Sequence, residues 1–159
     1  MQRRLPLLLA TLILVPGAFA QEGERRPRRE RREAAVELKN FTFREQTLKS
    51  DAVGRELKYG IYLPSGYDDA ANKDTKYPLV VWLHGMWEDH LRFHERGGAP
   101  VLDQCVGDGK LPPCIFVTAN GNRTSMYVNR KDERWEDLIT VDLLQHLEKE
   151  YRVSKDRQQ

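Results

Sequence analysis

The sequence predicts an α/β domain in which an antiparallel N-terminal hairpin leads into a mostly parallel sheet with flanking helices. Three observations predict it. Two stretches of near-alternating apolar residues flank a turn, two uninterrupted apolar runs follow, and a last segment repeats its apolar residues at helical spacing.

Taken in order, Val36, Leu38, Phe41, Phe43 and Leu48 sit among polar residues, and Leu57, Tyr59 and Ile61 repeat the pattern. These stretches predict strands over 36–48 and 55–63, joined by the turn residues 49–54 and closed where Pro64 removes a backbone donor. Leu79-Val80-Val81-Trp82-Leu83 and Cys114-Ile115-Phe116-Val117-Thr118 lack any alternation, as strands do when helices cover both faces of a sheet. Between them a helix is expected over about 99–106, stopped by Gly107-Asp108-Gly109. Trp135, Leu138, Ile139, Leu143, Leu144, Leu147 and Tyr151 then mark a sheet-packing helix, with Asp132 expected as its cap.

A chain of 159 residues, 40% hydrophobic and 31% charged, supports one modest core and so one domain. Residues 1–20 stand outside it. Arg3 and Arg4, an apolar run over 5–15, Pro16-Gly17 and the closing Ala18-Phe19-Ala20 have the form of a cleaved secretory signal. That run falls short of the roughly 18 residues that span a bilayer, so no membrane attachment is expected after cleavage. A secreted or periplasmic location follows. Residues 21–35 read as a solvated Arg/Glu-rich tail, six Arg and four Glu falling within 22–33, and 36–159 as the folded part.

Without residues 1–20 the chain has 24 Lys and Arg against 24 Asp and Glu, and nothing in that balance implies a nucleic-acid partner. His84, His90, His94 and His146 are scattered, and with no CxxC or HExxH the sequence offers no metal site. Cys105 and Cys114 would meet an oxidising compartment. They read equally as a disulfide or as two small buried thiols. Asn40-Phe41-Thr42 and Asn122-Arg123-Thr124 fit the glycosylation pattern.

Ligands of parallel sheets gather beyond the carboxyl ends of the strands, which directs attention to the segments after Leu83 and Thr118. There and around them five segments occur in order: Tyr59-Gly60-Ile61-Tyr62-Leu63-Pro64 with Gly66-Tyr67-Asp68, then Tyr77-Pro78 through His84-Gly85, then Gly109-Lys110-Leu111-Pro112-Pro113 through Val117, then Asn120-Gly121, then Trp135-Glu136-Asp137-Leu138 running to Glu150-Tyr151-Arg152-Val153. Jointly they resemble the esterase branch of the α/β-hydrolases, the group holding feruloyl, acetylxylan and enterochelin esterases, formylglutathione hydrolase and mycolyltransferases.

The resemblance implies a serine carboxylic-ester hydrolase that works through an acyl-serine intermediate, without a cofactor, on a small-molecule or polymer-linked ester. It also implies that the oxyanion hole uses the loop after the third strand, with Gly85 shaping the turn and the Met86 N–H as donor. His84 would pack behind that loop and take no part in the chemistry. Trp87, Glu88 and the stretch to Gly98 would cover the pocket mouth, and Asn120, Gly121, Tyr127 and Asn129 could line the same cleft or simply cover core.

In that family the pattern continues into a strand and a GxSxG turn carrying the nucleophile. None of Ser50, Ser65, Ser125 and Ser154 has such flanking glycines. The expectation is a partial α/β-hydrolase fold, truncated before the nucleophile elbow and inactive alone. Two other readings remain open, a non-catalytic module binding carbohydrate or acyl groups and an acyltransferase of the same fold.

Overall fold

The computed structural model describes residues 37–156. The expected signal sequence and charged tail lie outside the described residues. Strands β1 (Phe41–Ser50), β2 (Arg55–Pro64), β3 (Leu79–Leu83) and β4 (Ile115–Ala119) form one mixed sheet in the order β1-β2-β4-β3. β1 and β2 pair antiparallel, from Phe41 opposite Pro64 to Ser50 opposite Arg55. β2 is antiparallel to β4, so β3 and β4 are the one parallel pair among the described strands.

The hairpin closes because Gly54 takes a φ of +66°, which glycine adopts without a Cβ clash. Asp142 secures its tip, accepting hydrogen bonds from Ser50 Oγ at 2.5 Å and from the Ala52 N–H at 3.0 Å.

Alternation along each strand sorts side chains into two cores. Tyr59, Ile61 and Leu63 of β2, with Ile115, Val117 and Ala119 of β4, face one side. There they meet a continuous helical segment made of α3 (Trp135–Asp137), a π-helical stretch Leu138–Leu143 and α4 (Leu144–Glu150), through the buried Trp135, Leu138, Leu143 and Leu147. Tyr62 and Phe116 face the other side and pack with Cys114 and with Ala99 and Leu102 of helix α2 (Gly98–Gly107). Phe93, on the short helix α1 (Arg92–Glu95), stacks on Phe116 with ring centroids 4.7 Å apart. β4 is buried throughout between these helical layers, as an unbroken apolar run requires, whereas β3 has no fully buried residue, because it lies at the sheet's edge among the described strands.

One local expectation changes and one open alternative is decided. Asp132 does not cap the 135–150 helix. Asn129 Oδ1 accepts from the amides of Glu136 at 3.0 Å and Asp137 at 3.3 Å, because the chain bends back between Asn129 and Arg134. Cys105 and Cys114 are both free thiols, and burial of Cys114 in the apolar cluster pushes its pKa up, away from the reactive thiolate.

β3 is an edge strand. Its apolar Val80 and Leu83 are each 43% exposed, and an apolar groove of about 300 Å³ lies along it between Pro78, Val80, Leu102, Leu111 and Phe116. At its start Tyr77 forms a parallel bridge with Val153, the Ser154 N–H donating to the Tyr77 carbonyl at 2.8 Å.

Candidate active site

The parallel register places Leu83 opposite Ala119, so the loops following β3 and β4 leave the sheet side by side. His84 joins them. It is buried, its N–H donates to Tyr127 Oη at 3.1 Å, and its Nε2 accepts from the Gly121 N–H at 3.1 Å. Since a backbone N–H only donates, that contact assigns the ring proton to Nδ1, which donates to the Gly85 carbonyl at 2.8 Å. Every polar atom of the ring is thus committed to the loops.

The turn after His84 is closed by its own amides. Gly85 N–H donates to Glu88 Oε2 at 3.0 Å, Trp87 N–H to the Arg123 carbonyl at 2.8 Å, and Glu88 N–H to the Gly85 carbonyl at 3.3 Å. Between them, the amide of Met86 has no acceptor among the described residues. Glu88 holds the shape of this turn. The Gly85 amide, then Arg92 and Arg96, keep its carboxyl below the ordinary value of 4.5, and Arg96 reaches it at 2.5 Å.

A cleft of about 180 Å³ opens at this point, lined by Gly85 and Met86 from the β3 loop, by Asn122, Arg123, Met126 and Tyr127 from the β4 loop, and by His84. Trp87, Asn122, Met126 and Tyr127 have φ between 52° and 66°, and they are all the non-glycine residues of positive φ among those described. Their confinement to these two loops marks where the fold tolerates backbone strain. Burial pushes the Tyr127 phenol up to about 12, against the opposing pull of the His84 and Gly121 amides. Tyr127 therefore remains a hydroxyl across the neutral range and accepts the His84 amide.

Of the residues expected here, Gly85, Met86 and Tyr127 line the cleft. Trp87 stands beside it, 70% exposed. Asn120 and Gly121 serve behind it. Asn120 Nδ2 donates to His90 Nδ1 at 3.3 Å and its Oδ1 accepts from the Asn122 amide at 3.1 Å, while Gly121 lies against the Tyr127 ring. Asn129 belongs to the helix cap instead. The stretch to Gly98 does not cover the mouth, because Phe93 and His94 turn inward onto Tyr62. Asn122, Arg123 and Met126 were missed by sequence reasoning, since an irregular polar loop has no period from which to tell which side chains face a cleft.

An unengaged amide just past β3 can present a hydrogen-bond donor to a carbonyl oxygen acquiring charge. Comparison with known proteins gives the family. Residues 50–158 match the family model Esterase, described as "Putative esterase". The chain belongs to that esterase family.

Among solved structures, this esterase chain is similar to a ferulic acid esterase at 31% identity and a TM-score of 0.68, over 75% of this chain and 46% of that one. A ferulic acid esterase from Anaeromyces mucronatus, solved with ferulic acid, shares the fold at 20% identity and a TM-score of 0.60, over 77% and 47% of the two chains. A curated relative, the endo-1,4-beta-xylanase/feruloyl esterase of Xylanibacter ruminicola, is 24% identical over 127 residues, 76% of this chain and 18% of that protein. The esterase chain thus spans less than half the length of these solved structures and under a fifth of the curated relative. Among the described residues no group of His, Cys, Asp and Glu is arranged to hold a metal ion, and no helix is long and apolar enough to cross a membrane.

Proposed function

We propose that these residues form the oxyanion-donating, substrate-binding half of a secreted serine hydrolase of carboxylic esters, with hydroxycinnamoyl esters of the ferulate type as its acyl class. The observation that carries this reading is the Met86 N–H, unengaged in a cleft at the carboxyl end of β3 while the neighbouring amides of Gly85, Trp87 and Glu88 are all taken.

As a serine oxygen adds to the ester carbonyl, the electron pair of the C=O bond moves to oxygen, and a donor already aimed there needs no reorganisation. Met86 supplies that donor, with Gly85 free of a Cβ so that the substrate can approach. Collapse of the intermediate expels the alcohol and leaves an acyl-serine, which water then hydrolyses. No serine of these 159 residues lies in a GxSxG pattern, and the reading is therefore that this chain alone binds without turnover. The likeness to ferulic acid esterases supports the acyl class, and residues 1–20 support secretion.

Isothermal titration of the 159-residue chain with ferulate tests the reading. Saturable binding, lost when Met86→Pro deletes the amide hydrogen, is expected, and methyl ferulate should remain intact in the same solution. Absence of binding, or hydrolysis by the unaccompanied chain, would contradict it.

A further inference from the structure

The residues 37–156 carry 17 Lys and Arg against 20 Asp and Glu, yet the loop from Asn120 to Lys131 contains Arg123, Arg130 and Lys131 and no acid. Elsewhere Arg152 lies over the Tyr67 ring, and Arg44, Arg55, Arg92, Arg96 and Arg134 each meet a carboxylate. Neither Arg123 nor Arg130 does so among the described residues. Among the described residues, Arg123 is the only Lys, Arg, Asp or Glu lining the cleft. Arg130 is brought to the same place, its guanidinium donating to the Thr124 carbonyl at 3.3 Å, one residue along from Arg123. Glu88, the nearest acid of the facing loop, is already held by Gly85, Arg92 and Arg96 and offers no neutralisation.

Beside these cations stands an aromatic face. The Trp87 N–H donates to the Arg123 carbonyl at 2.8 Å, so the two residues are locked together, and the Trp87 side chain is largely exposed at a φ of 66°. A tryptophan held outward in strained backbone at a cleft is a flat apolar platform, suited to the C–H face of a pyranose ring. Two unpaired guanidinium groups next to it are suited to carboxylates, which they grip with paired, charge-assisted hydrogen bonds.

We propose that the alcohol side of the ester is a polysaccharide bearing uronic-acid carboxylates, with a sugar ring seated on Trp87 and its carboxylates met by Arg123 and Arg130. This rests on the ester-hydrolase reading, and it adds what that reading leaves open, the chemistry of the leaving group. The electrostatic contribution favours association with an acidic polymer even though the described residues as a whole are slightly acidic, because these two cations gather at the cleft.

The test compares the 159-residue chain's affinity for trigalacturonate with that for its carboxyl-reduced, neutral counterpart, the two probes differing only in the carboxylates. The acidic trisaccharide should bind at least tenfold more tightly, and the difference should shrink as salt is raised. Arg123→Ala with Arg130→Ala should abolish that preference while leaving the neutral trisaccharide unaffected, whereas Trp87→Ala should weaken both probes alike. All three side chains are exposed, so the variants should fold as the parent does, and an unchanged far-ultraviolet circular dichroism spectrum checks it. Equal binding of the two trisaccharides, or a preference that survives the double Arg variant, overturns the proposal. So does equal affinity for dextran sulfate, which would reduce the pair to an unselective cationic patch. Ferulate binding that remains sensitive to Met86→Pro while the trisaccharides are not distinguished would leave the ester-hydrolase reading standing and sink this inference alone.

Discussion

The Nε2 of His84 accepts the amide hydrogen of Gly121 at 3.1 Å, so the loops after β3 and β4 are held by one imidazole. Gly121 has to be glycine for a second reason, since a Cβ there would lie 2.1 Å from Cε1 of Tyr127. Gly121→Ala should therefore displace the Tyr127 ring, break its bond with the His84 amide and destabilise the chain by about 1–3 kcal/mol. Urea unfolding measures this, and a loss under about 0.5 kcal/mol, the range of an ordinary surface change, would show that Tyr127 is not fixed as described.

Glu88 gives the turn a dependence on pH. Its folded-state pKa lies below the ordinary 4.5, chiefly because it accepts the Gly85 amide, so its contribution to the turn is fully present above 4.5 and is lost as pH falls through the depressed value. The Gly85 amide resonance should titrate with a midpoint below 4.5. A midpoint at or above that figure would mean that the carboxylate does not hold the turn.

The helix that begins at Trp135 should respond to Asn129 and ignore Asp132. Asn129→Ala removes the acceptor of two amides and should cost roughly 1 kcal/mol of stability, as losses of helix caps do. Asp132→Ala, at an exposed residue, should change stability by less than about 0.5 kcal/mol. Thermal or urea unfolding of the two variants decides between the cap the sequence suggested and the one the fold uses.

That difference shows what a sequence can disclose of such a chain. β3 was legible to the residue, because five consecutive apolar residues bounded by Pro78 and His84 leave no alternative register. The hairpin followed from a period of two and the helix that begins at Trp135 from one of about 3.6, while the helix over 99–106 was read from the Gly107-Asp108-Gly109 stop. A cap found three residues before a helix is a guess from local order, and here a bend between Asn129 and Arg134 brought in a residue six positions ahead of Trp135. Within the site, Gly85 and Met86 were readable because they abut a recognisable strand. Arg123 and Met126 were not, since their orientation depends on the hydrogen bond from Trp87 to Arg123, a contact between loops 36 residues apart.

The open edge at β3 should govern solution behaviour. An apolar strand with Val80 and Leu83 partly exposed and unpaired backbone along one side is a template for self-association. Val80→Lys with Leu83→Lys should shift the chain toward monomer in sedimentation velocity at little cost in stability, because neither side chain is buried. If the parent chain is already monomeric and melts in one sharp cooperative transition, this edge is not a liability.

The reading depends above all on the Met86 amide. Amide-resolved NMR of the monomeric variant during titration with ferulate tests it directly. Met86 should show the largest saturable shift, with Tyr127 and Arg123 following the same binding curve and the Asn129-capped helix unmoved. If Met86 stays still while ferulate binds, or its amide is found bonded within the turn, the oxyanion assignment is wrong.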